Sequence, residues 1–133
     1  MAITPFTKSQ LLPQEEKLEV ARHKSELFIG IPKEISYQER RICLTPDAVN
    51  SLTSHGHRVM VESGAGLSSS YTDKEYSDAG AEITSDTKKV LSCPFLLKVE
   101  PLTIEEIEMI QPKTIVISAI QLKTRKAAYF EAL

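Results

Sequence analysis

Short apolar runs alternate with polar stretches of helical period along most of the chain, and the alternation begins at Phe28. Phe28 to Pro32 (FIGIP) has the length and character of a buried strand. A polar connection holding Lys33, Glu34, Glu39, Arg40 and Arg41 follows it. Thr45, Pro46 and Asp47 then form a helix start: Thr as N-cap, Pro at the first helical position, an acid in the first turn. Val49 and Leu52 repeat at helical spacing behind it, and Gly56 is placed to end the helix. Arg58 to Glu62 (RVMVE) is the next predicted strand, followed by a Gly/Ser loop from Ser63 to Ser70. Thr72 and Glu75 have the spacing of a capping box, and Gly80 closes that short helix. Glu82 to Thr84 is a short strand, after which Ser85 is expected to cap a helix through Val90 and Leu91. Phe95 to Val99 is a dense apolar strand. Thr103 with Glu106 makes a second capping box; Ile104, Ile107 and Ile110 share a face behind it, and Pro112 stops the helix. Thr114 to Ile120 (TIVISAI) is the most strand-like run, and a last helix is expected from Lys123, with Ala127, Phe130 and Ala132 inside it.

Strands alternating with capped helices imply βαβ units. The expected fold is therefore α/β: a mostly parallel, Rossmann-like (flavodoxin-like) sheet of about five strands with helices on both faces. Residues 1–27 read differently, as a polar lead-in. Pro13 to Glu16 starts a helix there, and Leu18, Ala21 and Leu27 give it a thin apolar stripe. A surface helix lying on the body is the expectation, with a partner-binding arm as the alternative. The last helix reaches Leu133 with no Gly, Pro or Asn to end it, which makes truncation an expectation.

Composition narrows the class. A chain of 133 residues is one ordinary domain or a fragment of a larger one, and at this size about two thirds of the unfolded surface is buried, enough for a core without staples. A net charge of −2 gives no electrostatic reason to bind nucleic acid or an anionic membrane. No apolar run approaches the ~20 residues of a membrane span, and the N-terminus lacks the basic start and apolar centre of a signal peptide. Cys43 and Cys93 sit in apolar runs with no partner at metal spacing, so reduced, buried thiols are expected. A cytoplasmic protein with no nucleic-acid partner and no membrane insertion is the result.

Loops after the strands of a parallel sheet lie outside its carboxyl ends, where ligands bind. Arg40 and Arg41 occupy such a loop, and a guanidinium there can grip a carboxylate through two parallel hydrogen bonds. Tandem arginines are expected to split, one inward and one outward; two solvated surface charges are the alternative. Lys98 ends the Phe95 strand at the same rim. It can hold a substrate carbonyl or carboxylate, or be an edge lysine that snorkels to water. Gln121 follows TIVISAI on that rim and can donate to a ligand oxygen or simply begin the next loop. Gly64-Ala65-Gly66 resembles a dinucleotide loop only superficially, with Ser69 in place of the third glycine and the next helix starting late; a tight turn is the reading adopted. His23, His55 and His57 form no metal set, and Glu105 with Glu106 reads as a pair of acids favouring the helix dipole.

IGIPKE, QERRICLTPDAV, HRVMVESGAG, YTDKEYSDAGAEI and LLKVEP follow one another at tight spacing. In that order, over about Phe28 to Leu133, they resemble the N-terminal domain of the alanine dehydrogenase and pyridine nucleotide transhydrogenase family. The resemblance implies a two-domain oxidoreductase well over twice this length. Its NAD would be bound by a separate Rossmann domain absent from this chain, with residues 28–133 as the substrate side and 1–27 as lead-in. It also implies a small amino or keto acid as ligand and a homo-oligomer when full length. The family's pattern N-E-x-R-V-A-x-T-P, laid on Gln38 to Pro46, puts the arginine that binds the substrate carboxylate on Arg41. Its K-V-K-E-P maps to Lys98, Val99, Glu100 and Pro101; the second, substrate-binding lysine is missing, and Lys98 matches the first. The family's catalytic histidine falls on Gln121, which cannot take a proton near neutral pH.

The transhydrogenase branch lacks that lysine and that histidine, because hydride passes there between two nicotinamides. The spellings QLKT and VEP match neither branch cleanly. The leading expectation is the substrate-binding N-terminal domain of an NAD-linked alanine dehydrogenase, which interconverts L-alanine with pyruvate and ammonia. Arg41 would clamp the carboxylate, Lys98 and Gln121 would face the reacting carbon, and this piece alone would be inactive. The alternatives are the NAD-binding α-subunit domain of a transhydrogenase and a stand-alone, non-catalytic small-molecule binding module.

Overall fold

The computed structural model describes residues 25–120 and 125–133. The helix expected from Pro13, and Gln121, lie outside the described residues. Five strands, β1 (Phe28–Ile31), β2 (Arg58–Glu62), β3 (Glu82–Thr84), β4 (Phe95–Leu97) and β5 (Ile115–Ile117), form one sheet in the order β3-β2-β1-β4-β5. Every pairing is parallel, with Ile29 opposite both Val59 and Phe95. Between and after the strands run α1 (Pro46–Ser54), α2 (Asp73–Asp78), α3 (Thr87–Leu91), α4 (Ile104–Met109) and α5 (Ala127–Ala132). No helix among the described residues is long and apolar enough to cross a membrane.

The strands alternate between two cores. Ile29, Ile31, Val59 and Val61 pack with Val49 of α1 and Tyr76 of α2 on one face. Met60 and Leu96 pack with Val90, Leu91, Ile107 and Tyr129, from α3, α4 and α5, on the other. Helices thus cover both faces of an α/β, Rossmann-like sheet, as the alternation of apolar runs implies. At Gly30 the fit is tight: an added Cβ would lie 2.6 Å from the Val90 carbonyl oxygen and 3.0 Å from the Cys93 Cβ. Only glycine lets α3 sit this close to the middle of the sheet.

The chain lays down β1, β2 and β3 outward in one direction, then returns past β1 to build β4 and β5 on its other side. This is the 3-2-1-4-5 order of a Rossmann unit; the flavodoxin variant would put β3 beside β1, whereas β3 pairs with β2. The reversal places the switch point between β1 and β4. In open α/β sheets ligands bind outside the carboxyl ends at such a switch point.

The helix starts follow local chemistry. Thr45 accepts from the Ala48 N–H at 3.3 Å, and both capping boxes, Thr72 with Glu75 and Thr103 with Glu106, are formed. Gly56 and Gly80 take φ of +86° and +91° to end α1 and α2. The cap of α3 is Asp86, not Ser85: its carboxylate accepts from the Lys88 N–H at 3.0 Å, and an ionised acceptor is the stronger one. β4 and β5 are also shorter than the apolar runs Phe95 to Val99 and Thr114 to Ile120. Past Leu97 the Lys98 N–H still reaches the Ile117 carbonyl, while the Val99 N–H binds the Glu34 carboxylate.

Candidate functional site

Three carboxylates organise the carboxyl rim. Glu34, on the loop after β1, accepts the Val99 N–H at 2.6 Å and the Glu100 N–H at 3.3 Å, and so spans the switch point to the turn after β4. Burial pushes the Glu34 carboxyl above the usual carboxylate range, against the pull of those two N–H bonds and the Lys98 charge. Glu62, at the end of β2, accepts from the Lys33 N–H and the Thr87 hydroxyl, each at 2.7 Å. Glu106, in the first turn of α4, takes the Lys98 ammonium through both oxygens, at 2.9 and 2.7 Å. The far end of the β1 loop is anchored by the Tyr76 hydroxyl, which donates to the Leu44 carbonyl at 2.7 Å.

Arg41 stands on this rim with its side chain 76% exposed. Its Nε and Nη2 donate to the two oxygens of Glu39 at 2.8 and 2.7 Å, and its backbone N–H binds Glu39 as well. That grip holds the Glu39 carboxyl down at about 2. It also raises Arg41, with smaller contributions from the charges of Glu100 and Glu34, which put the guanidinium within electrostatic reach of the crevice. Arg40 is exposed too, so the two arginines do not split inward and outward. Glu39 satisfies Arg41 at the surface, and nothing draws either residue into the core. The Arg40 carbonyl accepts from the Ser69 hydroxyl, tying this loop to the one after β2. A cavity of about 470 Å³ opens beside it, lined by Glu34, Glu39, Arg40, Tyr37 and Ser68 among others.

Lys98 is not a snorkelling edge residue. It is 3% exposed, and Glu106 beside it is 2% exposed. Glu106 is therefore more than a surface acid favouring the helix dipole. The structure joins Lys98 to Glu106, with Glu34 close enough for its carboxyl to feel the Lys98 charge, and Arg41 lies on the loop at the same rim. In the sequence Glu34 reads only as part of a polar connection, Glu62 only as a strand end and Glu106 only as a capping and dipole acid, with none of their long-range partners visible. Glu34 meets a partner 65 residues away, and Lys98 and Glu106 are eight apart across a strand end, a turn and a helix start, a separation with no period of its own.

The remaining candidates resolve simply. Gly64 turns at φ +78°, and its N–H donates to Asp73 at 2.8 Å, as does the Ser63 hydroxyl at 2.6 Å. An added Cβ at Gly66 would lie 2.6 Å from the Tyr76 ring. An acid already occupies the amide a phosphate would need, so this loop does not fit a dinucleotide. His55 binds the Ser51 carbonyl, and His57 accepts from the Leu27 N–H. No group of three metal-ligating side chains forms among the described residues. Cys43 and Cys93 are free, and burial pushes both thiols up to about 11.

Comparison with known proteins agrees with this architecture. Residues 30–133 match the model of the family described as alanine dehydrogenase/PNT, N-terminal domain. The alanine dehydrogenase of Bacillus subtilis (strain 168) is 51% identical over 77 residues, which are 57% of this chain and 20% of that protein. The alanine dehydrogenase of Staphylococcus haemolyticus is 49% identical over 75 residues, 56% and 20% of the two chains. Among solved structures, an L-alanine dehydrogenase superposes with a TM-score of 0.76 at 31% identity, over 80% of this chain and 29% of its own. A transhydrogenase from Sinorhizobium meliloti reaches 0.64 at 34% identity, over 70% and 28%. The matched stretch spans about a fifth of the length of these curated relatives. With the family model covering nearly everything from β1 onward, the chain belongs to the alanine dehydrogenase/PNT N-terminal domain family.

Proposed function

We propose that residues 28–133 are the substrate side of an NAD-linked alanine dehydrogenase, which interconverts L-alanine with pyruvate and ammonia. One observation carries this reading beyond the family. Two cations of different kinds stand at the carboxyl rim of the sheet: Arg41, exposed on the loop after β1, and Lys98, buried at the end of β4. An open guanidinium suits a carboxylate, and a buried ammonium suits the oxygen of the adjoining carbonyl.

In this reading pyruvate takes the place of Glu39 in the Arg41 fork. The Glu39 side chain is only 9% exposed and holds Arg41 through both oxygens, so the incoming carboxylate has to displace a well-formed pair. Lys98 turns its charge toward the carbonyl, and Gln121, where the family carries a histidine, offers an amide hydrogen bond but no proton shuttle. NAD supplies the hydride acceptor and, since the Gly64 loop does not fit it, would be bound by a part of the protein beyond residues 28–133. Cytoplasmic location and homo-oligomeric assembly follow from the same reading.

The test is alanine-dependent NADH formation by the full-length protein, with pyruvate and ammonia required for the reverse reaction. A full-length protein inert toward alanine would overturn the reading. Hydride exchange between two nicotinamides, without alanine turnover, would install the transhydrogenase alternative, which the glutamine at position 121 and the lone lysine of LLKVEP favour.

A further inference from the structure

The glycine-rich turn after β2, which does not fit a dinucleotide, is tied down along nearly its whole length. The Ser63 N–H donates to the Thr84 carbonyl at 2.8 Å, the Ala65 N–H to the Glu62 carbonyl at 3.0 Å, and the Ser69 and Tyr71 N–H groups share the Gly66 carbonyl, each at 3.0 Å. Asp73 takes the Ser63 hydroxyl and the Gly64 N–H, and the Tyr76 ring fills the place of a Cβ at Gly66. An exposed link between β2 and α2 needs none of this, because water satisfies the backbone groups of a surface loop. What the stiffened turn carries is a short 3-10 helix, Leu67–Ser69, and at its end the Ser69 hydroxyl. That hydroxyl donates to the Arg40 carbonyl, 29 residues away on the loop after β1.

The Arg40 carbonyl is one end of a planar peptide unit whose other end is the Arg41 N–H. Glu39 accepts that N–H at 2.9 Å, so the plane is fixed at both ends, by Ser69 on its oxygen and by Glu39 on its nitrogen. The plane leads straight into the Arg41 Cα and sets the direction in which the side chain leaves the loop. No strand or helix lies between Ile31 and Pro46 to do this instead. The two holds are unequal when a ligand arrives. One Glu39 oxygen serves both the Arg41 N–H and its Nε, so a carboxylate entering the fork loosens the nitrogen end of the plane as well. Ser69 is then the hold that remains, with the Tyr76 hydroxyl on the Leu44 carbonyl behind it.

We propose that Ser69 is a positioning residue for the reaction: its hydroxyl keeps the Arg40–Arg41 peptide in place while the carboxylate of a 2-keto acid replaces Glu39 in the Arg41 fork. The glycine-rich turn is on this account a brace for the substrate clamp. The inference rests on the alanine dehydrogenase reading of Arg41 and goes one residue beyond it.

The experiment compares full-length wild type with Ser69→Ala and Ser69→Thr. Alanine removes the donor, and threonine keeps a hydroxyl. Ser69→Ala should raise the KM for pyruvate roughly three- to tenfold, the weight of one hydrogen bond, with kcat within about twofold of the parent. Ser69→Thr should return KM to within about twofold of the wild-type value. Hydrogen exchange of residues 35–45, read by mass spectrometry in the same proteins, reports the hold on the loop without reference to turnover. It should quicken in Ser69→Ala, and more so at saturating pyruvate than without it, because the ligand removes the other hold.

A wild type that turns over alanine while Ser69→Ala keeps the parental KM, losing only thermal stability, overturns the inference and spares the functional reading. So does a KM in Ser69→Thr raised as far as in Ser69→Ala, or an exchange difference that pyruvate leaves unaltered. Should Ser69→Ala fail to fold, Ser69→Cys, whose thiol is a weak donor, takes its place, and a parental KM there overturns the inference equally. A wild type without alanine turnover removes the functional reading itself.

Discussion

At the level of single residues, what decides this site is who already holds each charge. Arg41 is held by Glu39, two positions away, in a fork that the proposed substrate carboxylate would have to enter. Arg41→Ala in the full-length protein should raise the KM for pyruvate roughly ten- to hundredfold, the weight of a bidentate charge-assisted contact. An unchanged KM would remove Arg41 from the site. Glu39→Gln discriminates further: freeing the guanidinium should lower that KM severalfold, whereas a rise would mean that Glu39 aims the fork instead of competing for it. The Glu39 carboxyl titrates at about 2. Depressed below its ordinary value, it contributes its interaction at every pH above the ordinary carboxylate range and loses it only as pH falls toward 2, so pH cannot substitute for the mutation in an assay. The candidacy of Arg41 was legible from its loop position and from the family pattern. Its partner lay two positions away in sequence and was still passed over, because one charge near another in a loop carries no periodicity to read.

Between elements, the same lesson concerns ends more than existence. Every strand and capped helix that the apolar runs imply is present where the residues are described, since caps, capping boxes and C-cap glycines act within four residues of their helix. The ends of β4 and β5 were not legible. The Val99 N–H is satisfied by Glu34, far away in sequence, and no window around Val99 contains that information. Glu34 should therefore behave as a stitch between β1 and β4. Glu34→Ala leaves the Val99 N–H without an acceptor and should cost about 1–3 kcal/mol in denaturant unfolding at pH 7. Glu34→Gln keeps an oxygen for that N–H and sheds the charge. Because burial raises the Glu34 carboxyl, wild type is favoured with the group protonated and loses that part of its stability as pH rises through the raised value. Glu34→Gln should flatten that loss; a parallel pH profile in the two proteins would contradict the assignment. Gly30→Ala tests the fit of α3 on the sheet. A Cβ 2.6 Å from a backbone oxygen cannot be relieved by a rotamer change, and a loss of about 3 kcal/mol is expected.

For the molecule as a whole, the site described so far is one wall. The rim carries Arg41 and Lys98, and in the glycine-rich turn among the described residues Asp73 already holds the Gly64 N–H that a phosphate would need. The described face of β5 is half open as well, with Ile115 and Ile117 exposed on the side that α1 and α2 cover elsewhere in the sheet. A reversible hydride transfer needs donor and acceptor carbons held in near contact, and that juxtaposition, worth many orders of magnitude in rate, comes from binding both on one rigid frame. On the proposed reading, a chain that orients pyruvate without NAD held against it gains none of that advantage. The 133 residues alone, at micromolar concentration with NAD and saturating alanine, should therefore form NADH no faster than buffer, while the full-length protein turns over. They should still show weak pyruvate-dependent perturbation of Arg41 and Lys98 signals in NMR titration, lost in Arg41→Ala. Turnover by the short chain would place a nicotinamide site within it and refute the one-wall picture; the absence of any pyruvate response would show that the wall needs its opposite side even to bind.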